Sequence, residues 1–243
     1  MTSLDRAQTP KTRQMAPNKT ALVAALDIGT SKIACLIARL KPCPPSDALR
    51  GRTHAIELIG MSHIQSRGMK AGAVVDLNEC EQAVRQAVAL AERMAKVRVE
   101  SVLLSVSAGR LQGNLVEASS ELRGGAVTPA DLSRVISAGM HHATPQGRTV
   151  LHVLPSSFSL DGVKGVRDPS GMVARHFGVE MNVITADATA AKNLMLVVER
   201  CHLNVEAMAC APYVSGLSVL TDDEADLGAA VVEMGAGTTT IAT

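Results

Sequence analysis

An α/β fold is predicted by three features of this sequence. Strand-like aliphatic runs alternate with amphipathic helical stretches, glycine- and hydroxyl-rich turns separate them, and 47% of the 243 residues are hydrophobic, enough for a sizeable core. Phe158, Phe177 and Tyr213 are the only aromatic residues, so that core has to be built from Val, Leu, Ile, Ala and Met.

The elements follow in order. Residues 1–19 are polar and unpatterned, a composition that cannot repay the entropy of ordering, and are expected to form a flexible tail. TALVAALDI, from Thr20, reads as a strand buried on both faces, and KIACLIARL after Gly29 completes a hairpin with it. Four prolines and glycines make 41–53 a loop, and AIELIGMSHIQS returns as a third strand. Asn78 is placed as the cap of a helix running to Lys96, with Ala83, Ala87, Leu90, Ala91 and Met94 as its apolar stripe. Strands are expected at 101–108 and 111–122. Thr128-Pro129-Ala130-Asp131 then opens a second helix, with Thr128 as N-cap and Pro129 in its first turn. RTVLHVLPSSFSL is a strand interrupted by Pro155, and Asp161 to Gly171 reads as loop. VEMNVIT, a helix from Ala188 to Arg200 capped by Asp187, VEAMAC, a short helix at 212–220 and the strand LGAAVVEM complete the chain.

Composition narrows the function. A net charge of +1, dispersed Lys and Arg, and no aromatic stacking platform argue against nucleic-acid binding. Five cysteines without a C-x-x-C pair read as free thiols of a reducing cytoplasm. With no stretch of roughly 18 apolar residues and no signal-type N-terminal block, a soluble cytoplasmic chain is expected.

Chemistry concentrates in two turns, Asp27-Ile28-Gly29-Thr30-Ser31-Lys32 and Glu233-Met234-Gly235-Ala236-Gly237-Thr238-Thr239-Thr240. Each follows an aliphatic strand. Glycine lets the backbone turn tightly and approach a phosphate, while amides and hydroxyls donate to it. Taken singly, each also reads as an ordinary hairpin turn. The adjacent His141 and His142 point in different directions on a helix and do not share a metal, Ser156-Ser157 lacks a nucleophile-elbow context, and Arg67 reads as a surface turn residue.

The two turns, about two hundred residues apart, resemble the phosphate-1 and phosphate-2 motifs of the actin, Hsp70 and sugar-kinase superfamily. Between them SRGMKAGAVVDL (Ser66 to Leu77), LHVLP (Leu151 to Pro155), AAKN (Ala190 to Asn193) and VERCHLNV (Val198 to Val205) resemble, in order and spacing, the bacterial FtsA cell-division family. The resemblance covers about 20–243 and implies an actin-like (ribonuclease H-like) ATPase fold with an inserted subdomain IC. It places subdomain IA at 20–97 and 180–211, IC at 98–179 and the start of IIA at 212–243, with the chain truncated in IIA.

The same resemblance implies ATP and Mg as cofactors. Gly29, Thr30, Ser31, Lys32, Gly235, Gly237, Thr238 and Thr239 would surround the phosphates, and Asp27 and Glu233 would hold the metal through water. Glu233 stands where the family usually has Asp, and Ala236 where it commonly has a third glycine. FtsZ and other divisome proteins are the implied partners, with IC as an interaction surface. Filament formation, and membrane attachment through a C-terminal helix beyond residue 243, are implied for the longer parent. The expected output is assembly, with at most weak hydrolysis. A small-molecule kinase of the same superfamily, or an isolated interaction module keeping only the IC function, are the alternatives.

Overall fold

The computed structural model describes residues 16, 18–43, 54–122 and 125–243. Most of the expected 1–19 tail, positions 44–53 of the expected loop and the His142 side chain lie outside the described residues. Positions 41 and 42 continue a strand.

β1 (Ala21–Ile28) and β2 (Lys32–Pro42) form the expected hairpin, and β3 (His54–Gln65) lies antiparallel beside β2. A small hairpin of β4 (Met69–Lys70) and β5 (Ala73–Val74) leads into α1 (Leu77–Ala95). Asp76, not Asn78, caps this helix, because its extended backbone lets the carboxylate accept from the Asn78 and Glu79 amides. The helix ends at Lys96 in left-handed conformation. Next come β6 (Ser101–Val106), β7 (Gln112–Glu121) and α2 (Pro129–Ala143), whose Thr128–Asp131 capping box is the expected one. β8 (Arg148–Leu160) passes through Pro155 without a break: the register slips beside it, leaving Ser156 as an extra bulge residue.

A further strand, β9 (Val163–Val166), occupies the stretch expected to be loop, because the Asp161-Gly162 turn, both residues at positive φ, folds it back onto β8. The chain continues through β10 (His176–Asp187), α3 (Ala188–Arg200), β11 (Asn204–Cys210) and α4 (Ala211–Val219). A short capped helix, α5 (Asp222–Leu227), then precedes β12 (Val231–Met234) and β13 (Thr239–Ala242), so the last predicted strand is confined to its second half.

These elements form two compact units. In the first, a mixed sheet is ordered β11-β6-β1-β2-β3, with β6 parallel to both β1 and β11, and β12-β13 forms a separate ribbon. Helix α1 buries Cys80, Ala83, Val84, Ala87, Val88 and Ala91, whereas Leu90 and Met94 of the expected stripe are exposed. The cause is close approach: a Cβ at Gly60 would lie 2.5 Å from the Ala91 carbonyl oxygen and 2.7 Å from the Ala95 Cβ. Small side chains therefore face the strand, and the Ser62 hydroxyl donates to the Ala87 carbonyl at 2.6 Å. Glu81 of α1 pairs with Arg200 of α3 at 2.7 Å.

The second unit is an antiparallel sheet ordered β7-β10-β8-β9 with α2 against one face. Phe177, Val179, Met181 and Val183 of β10 pack with Leu122, Val135 and Met140, and Phe158 stacks on Phe177 with centroids 5.9 Å apart. The units divide after Gly109 and after Ala188. That division leaves β6 hydrogen-bonded inside the first sheet and β10 as one uninterrupted strand of the second.

Gly60→Ala is expected to lower the stability of the first unit by about 1–3 kcal/mol, because backbone of α1 must retreat from the new methyl group. Urea unfolding followed by circular dichroism reads that shift.

Candidate functional site

The two glycine turns are built alike. The Gly29 amide donates to the Lys32 carbonyl at 3.0 Å, and the Gly235 amide donates to the Thr238 carbonyl at 2.8 Å. Each closes a hairpin between a strand pair in register, Ile28 with Ile33 and Met234 with Thr239. Both turns belong to the first unit. They also meet. A Cβ at Gly237 would lie 2.5 Å from the Thr30 hydroxyl oxygen and 2.9 Å from its methyl carbon, so glycine at 237 is what lets the second turn rest on the first.

The β4-β5 hairpin touches both turns. The Gly72 amide donates to Thr30 Oγ1 at 2.8 Å, and a Cβ on Gly72 would come within 3.0 Å of the Thr238 methyl carbon and 3.3 Å of the Ala108 Cβ. The Ser66 amide donates to the Ser31 carbonyl at 3.0 Å.

Two carboxylates stand beside the turns. Asp27 is the next-to-last residue of β1, on a partly buried face, and burial pushes its carboxyl above the ordinary value, opposed by a Ser105 hydrogen bond and the Lys32 charge. The β1-β6 register puts Asp27 opposite Ser105. Burial likewise raises Glu233, the negative charge of Asp27 raises it further, and hydrogen bonding by its cross-strand partner Thr240 works the other way. Glu233 Oε2 is buried without a hydrogen-bond partner. Burial and then the Glu233 charge also raise the Cys210 thiol, so Glu233 lies near the ends of both β1 and β11. Among the described residues no group of three His, Cys, Asp or Glu side chains forms a metal cage, so a cation between Asp27 and Glu233 would take most of its ligands from water and phosphate.

The structure therefore gathers Asp27, Thr30, Glu233, Gly237 and Thr238. Gly29 and Gly235 form the two turn closures. Ser31 and Lys32 are exposed beside the first turn, and Thr239 is the first residue of β13, also exposed. Arg67 is exposed as well. Sequence reasoning missed Ala71, Gly72, Ser105 and Thr240. The Lys70-Ala71-Gly72 turn was visible as a local signal and Thr240 stands inside the second turn motif, whereas Ser105 is recognisable only through the β1-β6 register.

The sheet order, with a hairpin turn at the end of its central strand and a second turn facing it, defines an actin-like ATPase fold. Consistent with it, the structure titled "PilM-PilN type IV pilus biogenesis complex" superposes with a TM-score of 0.51 at 13% identity, covering 84% of this chain and 51% of that one. Residues 108–185 match the family model for the SHS2 domain inserted in FtsA. The chain is 47% identical over 232 residues to the cell division protein FtsA of Rhizobium meliloti (strain 1021), covering 96% of this chain and 52% of that protein. FtsA of Neisseria meningitidis serogroup B (strain ATCC BAA-335 / MC58) is 32% identical over 220 residues, covering 90% and 51%. Within the actin-like class, then, the chain belongs to the FtsA family of cell-division proteins. It spans about half the length of the curated relatives it matches.

Raised carboxyl values mean that the folded state holds these protons more tightly than the unfolded chain. Their ionisation thus costs stability as pH rises from the ordinary values of 3.8 and 4.5 upward. Glu233→Gln is expected to gain stability relative to the unaltered chain across that rise, with magnesium narrowing the gap. Urea midpoints measured over a pH series would contradict this if the difference between the two chains were flat.

Proposed function

We propose that this chain is the nucleotide-binding part of an actin-like cell-division protein, taking the phosphates of ATP between its two glycine turns with Mg beside Asp27 and Glu233. The observation that carries the reading is the seating of Gly237 on Thr30, which brings two turns from distant parts of the sequence into contact. Thr30 and Ser31 on one side, and Gly237, Thr238 and Thr239 on the other, supply amide and hydroxyl donors to the β- and γ-phosphates, while Gly29 and Gly235, whose amides close the turns, let the backbone come close. Lys32 offsets part of the phosphate charge. The partnerless Glu233 oxygen and the raised Asp27 fit a hydrated divalent cation, which supplies charge neutralisation when bound. Glutamate at 233 reaches one methylene further than aspartate and meets that role from the neighbouring ribbon.

The output of such a site is assembly. Nucleotide occupancy sets the contact between the turns, and the contact sets the shape a subunit presents to its neighbours in a filament. The second unit, at 110–188, is proposed as the interaction surface for divisome partners, and its open sheet face supports this with a polar trough of about 280 Å³ lined by Glu117, Ser119, Ser157, Ser159 and Lys164. FtsZ is the proposed partner of the whole assembly at the septum. No helix of the described residues is long and apolar enough to cross a membrane, and membrane attachment is proposed for the full-length protein.

Isothermal titration of ATP with magnesium tests the reading. Binding is expected for the unaltered chain, and Gly237→Ala should weaken it at least about tenfold, equivalent to roughly 1.4 kcal/mol, because the methyl drives the turns apart. Equal affinity of the two chains, or no binding by the unaltered one, would contradict it.

A further inference from the structure

The β4-β5 hairpin is more firmly held than an ordinary surface turn. The Val75 and Asp76 amides both donate to the Gly68 carbonyl, at 2.8 and 3.1 Å, and Asp76 in turn caps α1. The Ser66 amide ties the start of the segment to Ser31. At the tip, Ala71 and Gly72 are both left-handed, with φ of 48° and 76°. Alanine in that region is unfavourable by itself and persists where surrounding contacts impose it. Here the two-residue loop between the paired Lys70 and Ala73 imposes it, and the glycine turns pack directly on that loop: a Cβ on Gly237 would lie 2.9 Å from the Ala71 Cα, and the Gly72 amide reaches Thr30 Oγ1.

A threonine hydroxyl has one proton and two lone pairs. With the Gly72 amide on a lone pair, the oxygen is committed as an acceptor there and its proton is directed elsewhere. We infer that Gly72 is a positioning residue of the phosphate site, whose amide orients the Thr30 hydroxyl so that its proton is offered to the terminal phosphate of a nucleoside triphosphate. This rests on the nucleotide reading above. The hairpin tip is then a third wall of the site, setting the distance between the turns and tying it to the capped start of α1. Glycine is required at 72 twice over, by its φ and by the Thr238 methyl and Ala108 Cβ that a side chain would meet.

Amide hydrogen exchange and calorimetry on the 243-residue chain test the inference. Without nucleotide, exchange at the Gly72 amide should speed up about tenfold in Thr30→Val and return to the original rate in Thr30→Ser. With magnesium present, ATP should slow that exchange more than ADP does in the unaltered chain. Gly72→Ala should weaken ATP about tenfold while changing ADP by no more than about twofold, and adding Thr238→Ser, which removes the obstructing methyl, should restore part of the loss. An unchanged Gly72 exchange rate in Thr30→Val, equal protection by ATP and ADP, or equal losses for both nucleotides in Gly72→Ala would overturn the inference alone. Failure of the unaltered chain to bind either nucleotide would overturn the nucleotide reading and this inference with it.

Discussion

The hydrogen bonding of β1 on both of its edges is the constraint on which the rest of the first unit depends. β2 pairs with it antiparallel from Ala21 to Ile28, and β6 pairs with it parallel at Ala25 to Asp27. A strand held on both sides cannot slide, because a slip of one residue would exchange the buried Ala24, Leu26 and Ile28 for Asp27 and its face. The register thus fixes Asp27 against Ser105 and delivers the Gly29 turn to the carboxyl end of the parallel strands. Ala108, just past β6, and Cys210, ending β11, lie at the same end. Open α/β sheets bind ligands there, where strand ends leave room and backbone amides turn outward.

Electrostatics at that end run against the fold and in favour of a bound cation. Burial raises the proton affinity of both carboxylates, the charge of Asp27 raises that of Glu233 further, and one Glu233 oxygen has no hydrogen-bond partner. Burial without a partner is costly unless a partner arrives from outside the chain. The same reasoning separates this pair from the surface ion pairs, such as Lys164 with Glu117, whose side chains stay mostly exposed and contribute little to stability. Glycine has the complementary role: at 237 it removes the atom that would hold the turns apart.

Much of this was legible in the sequence, and the unread parts share a physical cause. The β1-β2 hairpin and the Thr128 capping box follow from local chemistry, from a continuous aliphatic run around Gly29 and from a threonine three residues before an aspartate. The inward face of α1 did not, because Leu90 and Met94 look like core until the close approach of Gly60 to Ala91 and Ala95 turns the helix so that Cys80, Ala83, Val84, Ala87, Val88 and Ala91 are buried instead. β9 was missed although its signal is local: Asp161-Gly162 is a two-residue hairpin turn pairing Leu160 with Val163, but the turn-rich composition of 161–171 reads as loop. In the candidate site the two turns could be read from their glycines, whereas Gly72 and Ser105 enter through contacts between segments far apart in the chain. A resemblance spread over several motifs carried the family, which no single turn could.

The central claim is that two distant turns form one phosphate site. The most direct measurement is a titration of the isotope-labelled chain with ATP and magnesium, following the backbone amide resonances of Gly29, Gly235 and Gly237 by nuclear magnetic resonance. The account predicts that all three move along a single binding curve with one dissociation constant. Movement of one turn without the other, or separate curves for Gly29 and Gly237, would contradict it.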